Sequence, residues 1–231
     1  MIKKRIDIAF TGSLLGLYLV CIAMDWFVPS WHTISAILKW SAIFLCALYV
    51  WVVSRDYLLQ IALGMTLICE LFLLFGTQEM AEWIGVALFC IVHVLYAIRM
   101  APKYESGILI VFCFIAVGAL IVYAVSSMLL VAQSALLSIG MCYSGLLMMN
   151  VVLSIQGMRR RWRPWPISFL CAISMLLLLV CDIVALAGNI DRFLIFHRVV
   201  YAHAGKVIWV FYLPAQWLMA KSAFNLRKKL A

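Results

Sequence analysis

The chain reads YLLQIALGMTLICELFLLF from Tyr57 to Phe75, and Gly76 follows. This run is almost wholly apolar, and about 20 such residues are enough to cross the hydrocarbon core of a lipid bilayer as a helix. It nevertheless contains Glu70, and an ionisable side chain at that depth costs free energy unless it is paired or has a functional role. The stretch therefore predicts a membrane-spanning helix with a polar group inside the bilayer.

The remainder of the chain has the same character. Of its 231 residues, 68% are apolar and 12% are charged, whereas about half of the residues of a typical soluble domain are apolar. So few polar residues cannot cover such a fold in water, and lipid must be its solvent. We predict an all-α polytopic membrane helical bundle, a single integral membrane domain over residues 1–231 with possible halves 1–103 and 104–231. The eight predicted transmembrane helices are Ile6–Phe27, Thr33–Val53, Tyr57–Phe75, Glu82–Ile98, Gly107–Ser126, Met128–Ile155, Ile167–Gly188 and Val199–Ser222.

Basic residues are concentrated in alternate loops and at both ends of the chain. The formal net charge is +9, and the segment from Arg159 to Arg163 is densely basic. Because positively charged loops stay in the cytoplasm, this distribution predicts cytoplasmic N- and C-termini. It fits a bacterial inner membrane, and an internal eukaryotic membrane is the alternative. The basic residues are not interleaved with aromatic ones as in proteins that bind single-stranded nucleic acid, so no nucleic acid partner is expected.

The 8 cysteines all lie inside apolar runs, and none forms a CxxC pair. Cysteines in this setting pack as small hydrophobic side chains. We therefore expect neither a disulfide framework nor a metal site, and we expect no cofactor.

Four ionisable side chains lie at a similar depth inside the predicted spans. At a rise of about 1.5 Å per residue, Glu70 and Asp182 lie about 20 and 22 Å from the cytoplasmic ends of their spans. Lys39 and Lys206 lie about 9 to 10 Å below the opposite face, so all four fall in one layer of a core about 30 Å thick. One interpretation is two structural ion pairs, Glu70 with Lys39 and Asp182 with Lys206. The other is a functional site.

The two acids have similar surroundings. A cysteine precedes each acid, and a glycine follows each acid at the same spacing, at Gly76 and Gly188. Both spans are predicted to run in the same direction. The pattern therefore predicts a parallel repeat of spans one to four and five to eight, whose pseudo-twofold axis would bring Glu70 and Asp182 face to face.

Two further spans carry polar residues on one helical face. In span four, the residues at helical spacing are Gly85, Phe89, His93 and Tyr96. The glycine permits close approach of a neighbouring helix, so this face is expected to point into the bundle. In span eight, a broad common face is formed by Lys206, Trp209, Leu213 and Gln216, and Tyr212 lies nearby. Pro214 in the same span is expected to kink the helix and free a carbonyl group. A purely structural role in the core remains the alternative for the polar residues of both faces.

In their order and spacing, these features resemble the YhhN-type lysoplasmalogenase family of multispanning membrane proteins. The resemblance covers spans two to four, seven and eight. Its motifs in this chain are Lys39-Trp40, Cys69-Glu70, the G-x-x-x-F-x-x-x-H-x-x-Y stretch from Gly85 to Tyr96, Cys181-Asp182, and Tyr212-Leu213-Pro214-Ala215-Gln216. Two positions depart from the family pattern, since Glu70 replaces an aspartate and no proline follows Lys39.

The resemblance implies an alkenylglycerophospholipid hydrolase, which cleaves the vinyl ether of lysoplasmalogens to a fatty aldehyde and glycerophospho-ethanolamine or -choline. This reaction needs an acid that protonates the alkene carbon and a base that directs water onto the resulting oxocarbenium ion, as two carboxyl groups do in glycosidases. Our hypothesis gives these catalytic roles to Glu70 and Asp182, without deciding which is the acid. The expected substrate-binding residues are Lys39, His93, Tyr96, Lys206, Tyr212 and Gln216. The lysines would hold the phosphate or tune the acids, and the histidine and tyrosine of span four would order the water.

Three other functions suit the same residues. Buried acids and a repeat are also typical of a small-molecule or proton-coupled carrier, and Lys206 in the last span resembles the Schiff-base lysine of a retinal photoreceptor. The replacement of the family aspartate by Glu70 also suits a catalytically altered or inactive lipid-binding relative. The expected partners are a lysophospholipid substrate and the lipid bilayer, while the head group and the oligomeric state stay open.

Overall fold

Over the part of the chain that the computed structural model describes, the residues form helices and no β-strand, which confirms the predicted all-α class. The described residues are 2–76, 79–101, 107–128, 134–194 and 198–223. The α-helices are α1 (Ile2–Phe27), α2 (His32–Val53), α3 (Tyr57–Phe75), α4 (Glu79–Met100), α5 (Gly107–Met128), α6 (Ser134–Arg159), α7 (Trp165–Leu194) and α8 (Arg198–Lys221). A short 3-10 helix, Pro29–Trp31, joins α1 to α2.

Within these described residues, 6 helical segments are long and apolar enough to cross a membrane. They are Arg5–Phe27, His32–Val53, Tyr57–Phe75, Met80–Met100, Ser138–Arg159 and Trp165–Ala185. Large apolar side chains are exposed on each of α1 to α7, and Phe114 on α5 is 73% exposed. A surface of this kind needs lipid rather than water around it. The chain is a multi-pass membrane protein.

The helix boundaries differ most from the sequence prediction at α6 and α7. Helix α7 extends from Trp165 to Leu194, beyond both ends of the predicted span. Backbone hydrogen bonds continue the helix through polar residues. A prediction based on apolar residues alone does not include this part of the helix. The predicted sixth span begins at Met128, but this residue is the last of α5, and residues 129–133 lie outside the described part of the chain.

The helices belong to two compact units. Unit 1 consists of Met1–Arg55 and Phe169–Ala231, and unit 2 is Asp56–Ser168. Unit 1 therefore contains α1, α2, nearly all of α7, and α8, whereas unit 2 contains α3 to α6. The predicted halves divide the chain at residues 103–104, which the structure does not describe, so the parallel repeat stays a prediction.

In unit 1, α1 packs antiparallel to both α2 and α8. The ring of Phe10 stacks on the ring of Tyr49 with 4.0 Å between their centroids. Asp7 accepts hydrogen bonds from the Tyr49 hydroxyl at 2.8 Å and from the Lys221 ammonium group. One carboxylate therefore ties the start of α1 to the ends of α2 and α8.

Pro214 lies inside α8 and has no backbone N–H. In a regular helix the N–H of this position would donate to the carbonyl of Val210. Here the Tyr18 hydroxyl of α1 donates to the Val210 oxygen instead, at 3.1 Å. The proline thus frees a carbonyl, as the sequence predicted, and a neighbouring helix satisfies it.

We expect Tyr18→Phe to lower the free energy of unfolding by about 1–3 kcal/mol, because the Val210 carbonyl loses its donor inside the bundle. Pro214→Ala supplies a helical N–H to the same carbonyl. In that background, the loss caused by Tyr18→Phe should be smaller, as measured by thermal unfolding in detergent in a double-mutant cycle. Equal losses in the two backgrounds would show that the proline and the tyrosine are not coupled.

In unit 2, α3 and α4 form an antiparallel hairpin that is closed by charged residues at one end. Asp56 caps α3 by accepting a hydrogen bond from the backbone N–H of Leu59 at 3.3 Å. The same carboxylate accepts a hydrogen bond from Arg99 Nε of α4 at 2.7 Å, and Arg99 is 1% exposed. Arg163 in turn donates to the backbone carbonyl of Arg99. The buried guanidinium is therefore matched by a carboxylate.

At Gly85, α4 packs closely against α3. A Cβ added there would lie 2.7 Å from Leu73 Cδ2 and 3.5 Å from the Cys69 carbonyl oxygen. The other residues of the predicted stripe, Phe89, His93 and Tyr96, are buried at 8%, 2% and 1% exposure. The spacing in the sequence therefore identified the buried face of α4.

We expect Gly85→Leu to lower the free energy of unfolding by about 1–3 kcal/mol, because the new side chain forces α3 and α4 apart. Gly64→Leu is the matched control, since a Cβ at Gly64 has nothing within 4 Å. Thermal unfolding of both variants in detergent measures the difference. Equal unfolding temperatures for the two variants would contradict the tight packing at Gly85.

Candidate functional site

A buried ion pair joins the end of α1 to the start of α2 in unit 1. Lys39 Nζ lies 2.7 Å from Asp25 Oδ2, and each side chain is 11% exposed. The Ser35 hydroxyl, one turn before Lys39 on α2, donates to Asp25 Oδ1 at 2.6 Å. The sequence offered Glu70 as an ion-pair partner for Lys39, and this interpretation is corrected: the carboxylate that the structure pairs with Lys39 is Asp25.

The sequence contains a signal that would have identified Asp25. In an antiparallel helical hairpin, residues at equal distances from the connection face each other. Asp25 and Lys39 lie at equal distances before and after His32, which follows the 3-10 connection. Helix α1 continues through Asp25 to Phe27, where the predicted first span also ends, so Asp25 lies on the helix that faces α2.

Aromatic rings lie against both lysines of this part of unit 1. Lys39 Nζ is 5.1 Å from the ring centroid of Trp209, and Lys206 Nζ is 5.6 Å from that of Trp26. Indole faces attract ammonium groups without neutralising them. We name the group formed by Asp25, Trp26, Ser35, Lys39, Lys206 and Trp209 the two-lysine cluster.

Lys206 forms no ion pair with Asp182 among the described residues, which corrects the second predicted pair; its ammonium group lies over Trp26. The two residues are nevertheless at the same level. The Ser174 hydroxyl of α7 donates to the Ala215 carbonyl of α8 at 2.8 Å. Because α7 and α8 are antiparallel, residues at equal distances from this contact lie level with each other. Asp182 follows Ser174 by as many residues as the residue after Lys206 precedes Ala215, so the two positions are level.

Two further predicted residues of α8 are buried in unit 1. Gln216 is 1% exposed, and its Oε1 has no hydrogen-bond donor among the described residues. Tyr212 is 7% exposed, and its ring packs edge-on against Trp209, with 5.1 Å between centroids. The structure therefore brings Tyr212 to the two-lysine cluster through Trp209.

Glu70 is buried in unit 2, at 4% exposure on α3. A Cβ built on Gly85 would lie beside the Cys69 carbonyl, which places Glu70 level with the first residues of the α4 stripe. His93 is about two helical turns after Gly85 on α4, so it lies about 12 Å from Glu70 along the helix axis at a rise of about 1.5 Å per residue. Glu70 and His93 thus share a helix pair but lie at different levels.

His93 is the centre of a polar and aromatic group between α4 and α6. Asn150 Nδ2 lies 3.0 Å from His93 Nδ1 and 2.9 Å from the His93 carbonyl oxygen. The rings of Tyr143 and Tyr96 pack edge-on against the imidazole, with centroids at 5.0 and 6.1 Å. His93 and Tyr96, both predicted as site residues, therefore lie together.

Sequence reasoning did not assign a role to Asn150, although the residue is fully buried. Its only signal in the sequence is an amide inside a long apolar run, and such a group needs hydrogen-bond partners at bilayer depth. Its partner lies on a helix that is distant in sequence, and one-helix patterns do not reveal such pairs.

The predicted site residues thus fall into two groups. Lys39, Lys206, Tyr212, Gln216 and Asp182 belong to unit 1, whereas Glu70, His93 and Tyr96 belong to unit 2. The pairing of Glu70 with Asp182 stays a prediction. In the part of the chain that the structure describes, no group of three His, Cys, Asp or Glu side chains is arranged to hold a metal ion.

Comparisons with known proteins supply one positive result. No curated protein and no solved structure matches the chain. A model of the YhhN family matches residues 34–223, from the first turn of α2 to the residues just after α8. The match includes all the predicted site residues, from Lys39 to Gln216. The resemblance that the motifs indicated is confirmed, and the chain belongs to the YhhN family.

Proposed function

We propose that this chain is a membrane hydrolase that cleaves the vinyl ether bond of lysoplasmalogens, giving a fatty aldehyde and glycerophospho-ethanolamine or -choline. The observation that carries the proposal is that a YhhN-family chain buries acidic and basic side chains inside its apolar helices. Glu70 is 4% exposed and Lys39 is 8% exposed. Buried ionisable groups are costly in a membrane protein and are typical of functional sites.

The proposed topology has eight transmembrane helices with both termini in the cytoplasm of a bacterial cell. The basic loops and ends support this orientation. The two-lysine cluster then faces the outer leaflet, because α1 ends and α2 begins there. A lysophospholipid has its charged head group at that level and its single chain in the hydrocarbon core.

The proposed reaction consumes one water molecule. A carboxylic acid donates a proton to the alkene carbon that is not bonded to oxygen, and an oxocarbenium ion forms. A carboxylate takes a proton from water as the water oxygen bonds to the cationic carbon, which gives a hemiacetal. The bond from this carbon to the glycerol oxygen then breaks, the glycerol oxygen takes a proton, and the aldehyde is released. Glu70 and Asp182 are the proposed acid and base.

The two lysines have different proposed roles. Lys39 is neutralised by Asp25 at 2.7 Å, so its charge is not available to a phosphate without breaking that ion pair. Lys206 lies over an indole ring and has no carboxylate partner among the described residues. We therefore assign the phosphate of the substrate to Lys206, with the cation–aromatic contact positioning the ammonium group.

We expect Lys206→Gln to raise KM for lysoplasmalogen about tenfold while kcat changes little, because a charged hydrogen bond to the bound phosphate is lost. Steady-state release of aldehyde at varied substrate concentration measures both constants. Arg55→Gln is the matched control, since it removes one positive charge from an exposed position. A variant in which kcat falls and KM stays constant would contradict a binding role for Lys206.

The function itself is tested with two substrates and the purified full-length protein in lipid nanodiscs. One substrate is a lyso-alkenyl phosphatidylethanolamine, and the other is the lyso-acyl lipid of equal chain length. Mass spectrometry should detect free fatty aldehyde from the first substrate and no fatty acid from the second. Release of fatty acid alone, or no product from either, would contradict the proposal. In a parallel assay on protein reconstituted into sealed lipid vesicles, passage of solutes across the membrane without any aldehyde would favour a carrier.

A further inference from the structure

Asn150 of α6 makes two hydrogen bonds to a single residue of α4. Its Nδ2 lies 2.9 Å from the backbone carbonyl oxygen of His93 and 3.0 Å from the Nδ1 of the same residue. Asn150 is 0% exposed and His93 is 2% exposed. Water therefore does not compete for these bonds, and their geometry determines where the protons lie.

The backbone carbonyl fixes the orientation of the Asn150 amide. A carbonyl oxygen only accepts hydrogen bonds, so the atom of Asn150 at 2.9 Å from it must be the NH2 nitrogen and not Oδ1. The second proton of this NH2 group is then available to His93 Nδ1 at 3.0 Å. An imidazole nitrogen that accepts a hydrogen bond carries no proton itself.

We propose that Asn150 is a positioning residue that holds His93 as the neutral tautomer with its proton on Nε2. His93 then offers an N–H donor from Nε2, and it does not serve as a base at that atom. An N–H donor suits a water oxygen or a phosphate oxygen. This inference rests on the proposed function for the use of His93, and it leaves the role of base to a carboxylate.

The surrounding rings are consistent with an uncharged imidazole of fixed orientation. Tyr143 packs edge-on against His93 at an interplanar angle of 71°, and Tyr96 does so at 77°. These contacts restrain the ring plane. The hydrogen bond from Asn150 then decides which of the two ring nitrogens faces α6. The tyrosine rings therefore restrain the plane of the imidazole, and the Asn150 amide determines the position of its two nitrogens within that plane.

Nitrogen NMR of the full-length protein in nanodiscs tests the inference directly. The protein is labelled with ¹⁵N-histidine, and the signal of His93 among the 4 histidines is identified by its loss in His93→Phe. At pH 7, we expect Nδ1 at the position of an unprotonated imidazole nitrogen and Nε2 at that of a protonated one. A proton on Nδ1, in the other neutral tautomer or in an imidazolium, would overturn the proposal.

A pair of variants tests whether Asn150 is the cause. Asn150→Leu has a similar volume and no N–H, so His93 should exchange between both tautomers and its two nitrogen signals should move toward each other. Ser154→Ala is the matched control, because Ser154 is buried one turn further along α6 and donates to the Val151 carbonyl instead. Nitrogen signals in Asn150→Leu at their original positions would refute the role of Asn150.

Measuring the turnover of lysoplasmalogen by Asn150→Leu tests the inference about Asn150 separately from the proposed function. We expect Asn150→Leu to lower turnover of lysoplasmalogen about tenfold, the value of one hydrogen bond of about 1.4 kcal/mol. If the tautomer shifts as expected and turnover is unchanged, the inference about Asn150 stands and the assigned role of His93 in the reaction is wrong.

Discussion

Replacing Glu70 with glutamine, or Asp182 with asparagine, is expected to lower lysoplasmalogen turnover by at least about 100-fold in each case, since proton transfer by a positioned acid or base contributes about 10²–10⁴. Both replacements preserve the size of the side chain and remove its ability to donate or accept the reacting proton. Because the two groups act in successive parts of one reaction, the turnover of the double variant should be only slightly lower than that of the less active single variant.

The measurement is aldehyde release per mole of folded protein, with folding checked by thermal unfolding in detergent. Glu82→Gln is the matched control, because it neutralises an exposed carboxylate at the start of α4. If Glu70→Gln or Asp182→Asn keeps its turnover while remaining folded, that residue is not catalytic. A loss of activity that follows a loss of folding would give the residue a structural role instead.

Asp25→Asn is expected to lower the free energy of unfolding by about 3–5 kcal/mol, because it leaves the ammonium group of Lys39 buried without its carboxylate. Lys39→Met should have an effect of similar size, since it leaves Asp25 with Ser35 as its remaining hydrogen-bond partner. Both side chains are 11% exposed, so water screens the remaining charge poorly.

The double variant Asp25→Leu/Lys39→Met separates an ion pair from two independent contacts. An apolar pair removes both charges together, and the free energy of unfolding should recover most of the loss seen in either single variant. Thermal or denaturant unfolding in detergent measures all three variants. If the double variant loses the sum of the two single effects, the coupling between Asp25 and Lys39 is refuted.

Helix positions and buried faces were largely predictable from the sequence. Apolar length identified the helices, and the Gly85 to Tyr96 stripe identified the buried face of α4, because both depend on periodicity within one helix. Helix ends were less predictable, and α7 continues to Leu194. The backbone hydrogen bonds of a helix continue beyond its apolar stretch, so the helix and the apolar stretch end at different residues.

Partners between helices were predicted poorly, and Lys39 is the clearest example. Its depth in the membrane was compared with that of Glu70, but depth alone does not specify which helices are neighbours. The short connection between α1 and α2 makes Asp25 the geometric partner. Asn150 was missed for the same reason, since its role depends on the packing of α6 against α4.

The central claim is that an acid of this protein protonates a vinyl ether carbon, and hydrolysis in D₂O tests it most directly. Purified protein is incubated briefly with lyso-alkenyl phosphatidylethanolamine in D₂O, and an unlabelled aldehyde is incubated alongside as a control for exchange. We predict an enzyme-dependent aldehyde with one deuterium at carbon 2, formed by the unaltered protein and at most weakly by Glu70→Gln or Asp182→Asn. Aldehyde without deuterium at carbon 2, or labelled aldehyde formed equally by all three proteins, would contradict the account.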